Sequence, residues 1–236
     1  MIAESKIFTF THNAYGEDRF ILPQVCDGYI LLGIADGHNG TVAAEHCSRH
    51  VINGFLESSQ ADPGERMCEA LQTILEDLAE EVSGTTLSLC CVDMESSQMW
   101  GAFIGDSPIV QYQKDNSYSS PIPHNVRCNS RELERILLQG GRVEGGYLRD
   151  DANRGLQLSR SIGDASFGGP ILRDPEVFTN NTIDCRAIVV ASDGFITNSD
   201  DIESLGEVLV EGKASVSDWS QKRKYDDDAS VVILYI

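Results

Sequence analysis

Three successive positions, Asp36, Gly37 and His38, bring a carboxylate, a carbonyl with no side chain beside it and an imidazole directly after the apolar run Tyr29 to Ala35. A strand that buries Ile30, Leu32 and Ile34 delivers those groups to the edge of a core. Acidic residues recur beside apolar runs at Gly16-Glu17-Asp18, Ala191-Ser192-Asp193-Gly194 and Asp226-Asp227-Asp228-Ala229-Ser230. Carboxylates gathered at strand ends repel one another, so segments of this kind that converge call for divalent cations with oxygen ligands. Carboxylate and water suit Mg²⁺ or Mn²⁺, and no sulfur stands in any of these segments. Histidine is the usual proton donor to an alkoxide-like leaving group near neutral pH. Alone, Asp-Gly-His after a strand is a turn and the Asp226-Asp227-Asp228 run a solvated loop; only their partners reverse that reading.

The elements that must position these groups are legible in part. Residues Lys6 to His12, Arg19 to Leu22 and Tyr29 to Ala35 read as strands, pairing most simply as antiparallel neighbours. Gly40 opens a helix to about Leu56 with Ala43, Cys47, Val51 and Phe55 along one face, and Asp62-Pro63 caps a second. That second helix carries the stripe Cys68, Leu71, Leu75, Leu78 and Val82, with Glu69, Glu76, Asp77, Glu80 and Glu81 outside. Thr85 to Val92, Gln98 to Ile104 and Ile109 to Gln113 form a meander of strands, and a short helix capped by Ser130 stops at Gly140-Gly141. From Arg142 to Asp184 the pattern is irregular; Ala187 to Ser192 is a buried strand, Asp200 to Val210 a helix and Ser230 to Ile236 a final strand. Helices followed by a meander predict segregated helices over antiparallel sheet, an α+β protein and not alternating βαβ.

Composition narrows the partners. The 236 residues show no linker, repeat or low-complexity tract, which favours one domain over two, and 41% hydrophobic residues is ample for a core. A formal charge of -19 with 18 Lys and Arg argues against nucleic acid and against anionic membrane surfaces. A phosphorylated ligand is repelled by the chain as a whole, so local cations must overturn that field. The segment Met1 to Lys6 has no signal-peptide h-region, and no apolar run approaches the ~20 residues that span a bilayer. Seven scattered cysteines without Cys-x-x-Cys pairs read as reduced thiols, expected of a cytoplasmic or nuclear protein, with Cys90 and Cys91 as core packing. His46 and His50 stand four apart but lack the Glu of a zinc-protease helix, so they read as packing or surface residues. No cysteine is followed six positions later by arginine, and no Gly-x4-Gly-Lys-Ser/Thr loop occurs, which excludes thiolate phosphatases and P-loop hydrolases.

The segments GEDRF (Gly16 to Phe20), GIADGHNG (Gly33 to Gly40), GTT (Gly84 to Thr86), GDS (Gly105 to Ser107), GLQLSRSIGD (Gly155 to Asp164), VVASDGF (Val189 to Phe195) and DDASVVIL (Asp227 to Leu234), in order along nearly the whole chain, resemble the metal-dependent protein serine/threonine phosphatases of type 2C, the PPM family. The resemblance implies a four-layer αββα sandwich, two antiparallel sheets flanked by helices, with a dinuclear Mn²⁺ or Mg²⁺ centre at one end. By motif position Asp36 would bridge both ions, Asp193 and Asp227 would complete one set, and Glu17 with the Gly37 carbonyl would bind the other. Asp18 would hold a water of that centre, His38 would act as general acid, and Asp106 would serve a weaker third ion. Asp227 is placed as the ligand because the family's Asp-Asn-x-Ser/Thr-Val pattern lines up with Asp227-Asp228-Ala229-Ser230-Val231. Asp164 and Arg160 read as structural. The implied reaction is hydrolysis of phosphoserine and phosphothreonine in proteins by a monomeric enzyme, with specificity set by the flap matched to Pro123 to Tyr147. The acidic balance suggests basic residues flanking the phosphosite.

The chain departs from that family where phosphate is handled. The family's phosphate-gripping Arg, four residues before the Glu of the Glu-Asp pair, is Asn13 here; losing such a contact costs roughly 1.5–3 kcal/mol. Arg19 is the nearby substitute. GDSR becomes Gly105-Asp106-Ser107-Pro108, Asp-His-Lys becomes Pro123-His124-Asn125, and Asp-Asn becomes Asp227-Asp228. All the metal-ligand positions keep their carboxylates. An active enzyme is therefore expected over a catalytically weak or inactive metal-binding pseudophosphatase that serves as a regulatory interaction module, since unpaired buried charge is costly without a metal. A metal-dependent phosphatase of small molecules is the third reading.

Overall fold

Runs such as Tyr29–Ala35 and Cys185–Ala191 are buried along almost their whole length, which requires protein on both of their faces. The computed structural model describes residues 6–236, and supplies that cover with two sheets and two outer helical layers. The stretch Met1 to Ser5, searched above for a leader, lies outside the described residues.

In chain order the elements begin with β1 (Ile7–His12), β2 (Arg19–Cys26), β3 (Tyr29–Ala35), β4 (Gly37–His38), α1 (Val42–Glu57) and α2 (Pro63–Asp77). Next come β5 (Gly84–Thr85), β6 (Leu87–Asp93), β7 (Gln98–Ile104), β8 (Ile109–Gln113), β9 (Tyr118–Ser119) and α3 (Ser130–Leu138). Short strands follow, β10 (Arg142–Glu144), β11 (Tyr147–Arg149), β12 (Gly155–Leu156) and β13 (Ile162–Gly163), then β14 (Glu176–Asn181). The last elements are β15 (Cys185–Ala191), α4 (Ser199–Glu211), α5 (Lys213–Lys222) and β16 (Ala229–Tyr235).

One five-stranded antiparallel sheet has the order β14-β7-β6-β3-β2, the other β1-β16-β15-β8-β9. Their inner faces meet through Leu32, Ile34, Cys90 and Met99 from the first and Ile188, Val190, Val232 and Leu234 from the second. On the outer face of the first, Ala43, Cys47, Val51 and Phe55 of α1 and Met67, Leu71 and Ile74 of α2 pack on Leu31, Leu89 and Cys91. On the outer face of the second, Leu205 and Leu209 of α4 and Val216 of α5 cover Val189, Val231 and Ile233. Each fully buried Leu, Ile or Val of these layers contributes about 1.5–3 kcal/mol of apolar burial. The result is the expected four-layer αββα sandwich. Cys90 and Cys91 are both buried, one in the inter-sheet core and one beneath the helices, as alternation in a strand requires.

Several boundaries differ from the sequence reading. β1 does not pair with β2: it lies against β16, with Ile7 opposite Leu234 and His12 opposite Ala229. Local pairing is the default, but β16, buried along almost its whole length, lies between two strands and takes β1 as its neighbour on the side away from β15. β2 continues past Leu22 to Cys26 because a register shift between Ile21 and Gln24 accommodates Pro23, which has no N–H to give the ladder. α2 ends at Asp77, leaves Val82 58% exposed and Glu80 and Glu81 beyond it, and buries Met67 and Ile74 in place of Cys68, a small rotation of the expected stripe. The cap of α3 is Asn129, whose side chain accepts from the Glu132 amide, not Ser130. α5 was not expected, since its sequence has a weak apolar period; Val216 and Trp219 attach it to the core. The irregular stretch after Gly141 resolves into the small sheet β10-β11-β12, packed with α3 on its own cluster of Val126, Ile136, Leu148, Phe167 and Ile171. Among the described residues no helix is long and apolar enough to cross a membrane.

Candidate active site

Strand pairing determines where the acidic segments go. Ala35 at the end of β3 is opposite Arg19 at the start of β2, so Asp36 emerges beside Glu17 and Asp18. Ala191 at the end of β15 is opposite Val231 near the start of β16, so Asp193 emerges beside Asp227. The link from Ile104 of β7 to Ile109 of β8 passes from one sheet to the other at the same end and carries Asp106. A pocket of about 360 Å³ opens there, lined by Glu17, Asp36, Gly37, His38, Asp106, Asp193 and Asp227 together with Tyr147 and Gln157. Asp18 lies behind that wall, its two carboxylate oxygens buried with the Ser192 and Ser230 hydroxyls close enough to act on them.

The electrostatics record the crowding. Burial pushes the Asp18 carboxyl up to about 6, with Asp228 adding to the rise and the Ser230 and Ser192 hydroxyls only partly countering it. Asp36 is held well above the usual carboxylate range by burial and then by the charges of Asp193, Asp18 and Asp106. Asp106 is pushed to about 7 by burial and by Asp193. Asp193 rises through burial and the neighbouring Asp227. A set of carboxylates that resists ionising together is a set that positive charge would relieve. Among the described residues no three His, Cys, Asp or Glu side chains stand as a ready-made metal cage; the carboxylates share a pocket wall instead.

Backbone bonds hold the wall in place. The Asp36 carbonyl accepts from the Thr86 amide at 2.9 Å and from the Thr85 hydroxyl at 2.9 Å, and Thr86 Oγ1 contacts Ser107 Oγ at 2.6 Å. Gly37 is needed because a Cβ there would stand 2.7 Å from the Glu17 carbonyl oxygen. The Glu17 carboxylate in turn accepts from the Gly40 amide.

Four residues that matter here were not assigned to the site from sequence. Asp228 is buried and accepts from the amides of Ala14 (2.6 Å), Tyr15 (2.7 Å), Gly16 (3.0 Å) and Glu17 (2.5 Å), which holds its carboxyl below the usual range although burial opposes this. It thus clasps the loop that presents Glu17. His124 and Asn125 secure Asp106: His124 Nδ1 accepts from the Gly105 amide at 3.2 Å, and the Asn125 side-chain amide donates to Asp106 Oδ2 at 2.7 Å. Burial, then the Arg160 charge, lowers His124 to about 4, so it is neutral and able to accept. Asp164, read above as structural, touches His38, with Oδ2 at 2.8 Å from Nε2. Burial disfavours the His38 cation, yet that hydrogen bond and the charges of Asp164, Asp106 and Glu17 raise its pKa overall. In sequence the signals of this are the doublet of Asp227 and Asp228, the Ser-Ile-Gly-Asp motif and the segment Pro123-His124-Asn125, which reads there only as a departure from the family's Asp-His-Lys.

Other expectations separate from the site. Arg160 pairs with Glu132 and Glu176. His46 and His50 stack on each other at 4.3 Å on α1, and His46 contacts Asp77. Arg19 does not replace the missing cation: its guanidinium donates to the carbonyls of Gly16 (2.9 Å) and Asp18 (2.8 Å). Asn13 Oδ1 accepts from the Thr11 hydroxyl at 3.0 Å.

Fold and pocket define an αββα sandwich with carboxylates from both sheets collected at one end and a histidine among them. The chain belongs to the protein phosphatase 2C family, whose model matches residues 24–203. It is 30% identical over 209 residues to Probable protein phosphatase 2C 5 of Arabidopsis thaliana, covering 76% of this chain and 48% of that one. It is 27% identical over 202 residues to Protein phosphatase fem-2 of Caenorhabditis elegans, covering 75% of this chain and 42% of the relative. Among solved structures, a C. elegans sex determining protein superposes with a TM-score of 0.82 at 21% identity, over 99% of this chain and 65% of that one. Serine-threonine phosphatase 2C from Toxoplasma gondii gives 0.74 at 17% identity, over 97% and 94%. At such identities the solved structures speak for the fold alone. The chain spans between about a third and a half of the length of the first curated relatives it matches.

Proposed function

We propose that this chain is a Mn²⁺- or Mg²⁺-dependent phosphatase that hydrolyses phosphoserine and phosphothreonine in proteins. The observation that carries the reading is the convergence of Glu17, Asp36, Asp193 and Asp227, from four separated segments, on one pocket that also holds His38. The residues fit hard cations: the donors are all oxygen, and burial together with neighbouring carboxylate charge raises Asp36 (beside Asp193, Asp18 and Asp106), Asp106 (beside Asp193) and Asp193 (beside Asp227). Asp36 would bridge two ions, Asp193 and Asp227 would complete one set, Glu17 and the Gly37 carbonyl would bind the other, and Asp106 would take a weaker third. When bound, such a pair makes water nucleophilic near neutral pH and offsets the charge of the phosphoryl oxygens.

The chain supplies the rest. Asp18, behind the pocket wall, would hold a water of the metal centre. His38 is anchored through Nε2 to Asp164, which leaves Nδ1 to pass a proton to the serine or threonine oxygen as the P–O bond breaks. The raised pKa of His38 keeps that proton available near neutrality.

Hydrolysis of an aryl phosphate by the purified protein tests the reading: turnover should require added Mn²⁺ or Mg²⁺ and stop with chelator. One observation favours a second reading, a metal-binding interaction module: Asn13 stands at the phosphate position and Arg19 is committed to backbone carbonyls. Two ions bound by calorimetry with no turnover of any phosphoprotein would decide for that module.

A further inference from the structure

A phosphate ester is dianionic near pH 7, and in this chain it must come to rest against Glu17, Asp36, Asp106, Asp193 and Asp227 in a molecule of net charge -19. Two pockets meet at that place. The larger, about 690 Å³, shares Asp106, Gln157, Asp193 and Asp227 with the smaller. Among the described residues lining either pocket, Arg127 is the only lysine or arginine.

Its placement is built. The Arg127 amide donates to Asn125 Oδ1 at 2.9 Å, and the Asn125 side-chain amide donates to Asp106, so the root of Arg127 is tied to the acidic wall by two hydrogen bonds. The guanidinium carbon lies 4.7 Å from the centroid of Tyr147, a residue of the smaller pocket, which sets the cation at the seam between the two. Gly146 leaves room for it, since a Cβ there would stand 2.8 Å from Arg127 Nε. Around it Arg19 is engaged with Gly16 and Asp18, Arg154 with Asp150, Arg160 with Glu132 and Arg173 with the Gly163 carbonyl, while Arg149, 5.2 Å from the centroid of the same Tyr147 ring, donates to the Asn153 carbonyl at 3.5 Å and does not line either pocket. Arg127 forms no ion pair among the described residues, and its five N–H donors remain for a ligand.

We propose that Arg127 binds the phosphoryl oxygens of the substrate and supplies the positive charge that neither Asn13 nor Arg19 provides. The inference rests on the phosphatase reading. A planar guanidinium resting against an aromatic ring loses less freedom on binding than a free one and can match two phosphoryl oxygens at once. It also gives an incoming anion a local attraction in a field that otherwise repels it.

The test is the Mn²⁺-loaded protein acting on an aryl phosphate and on a phosphoserine peptide. Arg127→Gln should raise KM about ten- to a hundredfold with kcat changed by less than about threefold. Arg127→Lys should recover part of the loss, and Asn13→Arg added to Arg127→Gln should restore KM, which a merely structural role for Arg127 does not predict. Thermal unfolding checks that the variants are folded. A KM for Arg127→Gln within about twofold of wild type overturns the proposal. Should no form of the protein turn over substrate, the phosphatase reading fails separately, and calorimetric binding of the same phosphoserine peptide decides: a tenfold weaker affinity for Arg127→Gln supports the proposal, while equal affinity or no binding to either protein overturns it.

Discussion

His38 Nε2 lies 2.8 Å from Oδ2 of Asp164, a pair 126 residues apart in sequence. A three-stranded sheet of two-residue strands makes the contact: His38 in β4 and Gly163 in β13 both stand opposite Gly84 in β5. Asp164 follows in the left-handed region, φ 51°, fully buried, with Oδ1 lacking a partner, so its carboxylate has His38 as its counterpart. Gly84 is indispensable to this arrangement. A Cβ there would stand 2.1 Å from His38 Nε2 and 2.3 Å from Asp164 Oδ2, inside both atoms.

Asp164→Asn should therefore lower the His38 pKa, because the charge that offsets its burial is gone. With a general acid that must be protonated, the basic limb of the kcat profile moves to lower pH, and kcat near neutrality falls roughly ten- to a hundredfold. NMR titration of His38 and a pH–rate profile check both. Gly84→Ala should reproduce the kcat loss by wedging the pair apart, with ion binding by calorimetry little altered.

At Asp228 the substituted atom decides the outcome. Three of its four amide partners, those of Ala14, Tyr15 and Gly16, bond to Oδ1, and only Glu17 bonds to Oδ2. Asp228→Asn keeps an oxygen for the three, whereas Asp228→Ala strands all four. Chemical denaturation should show Asp228→Ala destabilised by about 2–4 kcal/mol and Asp228→Asn by clearly less. Ion affinity should fall in the same order, since the clasped loop carries Glu17.

Asp36→Asn and Asp193→Asn should each reduce metal-dependent turnover by more than about a hundredfold while circular dichroism stays native. Their metal-free forms should melt no lower than metal-free wild type, because each substitution removes a carboxylate from a mutually repelling group. A variant that lost stability both with and without ions would point to a structural role for that residue.

Asp18 gives a pH dependence with a definite sign. Its folded pKa, about 6, lies above its ordinary value, so the metal-free fold binds this proton more tightly than the unfolded chain does. The stabilisation is fully present below the unfolded value and disappears as pH rises through about 6. Metal-free wild type should then be less stable at pH 7.5 than Asp18→Asn by on the order of 2 kcal/mol, with the difference closing near pH 4. Melting curves of the two proteins across that range provide the comparison.

Chain-local features determined much of this protein. Alternation and apolar runs marked β3, β6, β7, β15 and β16 to within a residue or two, and the Asp62-Pro63 and Gly140-Gly141 signals marked helix ends, since strand burial and capping depend on a few neighbouring residues. Glu17, Asp36, Asp193 and the run around Asp227 could be singled out because acidic residues beside apolar strands are costly without a purpose, Gly37 and His38 followed from their place after Asp36, and Asp106 and the choice of Asp227 came only from the family resemblance; all seven line the pocket. Tertiary structure alone decided the rest. The pairing of β1 with β16, the Asp228 clasp, the His124 and Asn125 support of Asp106 and the His38–Asp164 contact each join residues separated in the chain through a register or between one and four hydrogen bonds. Such contacts leave no periodicity, because a hydrogen bond is made by geometry at its two ends and by nothing in the sequence between them.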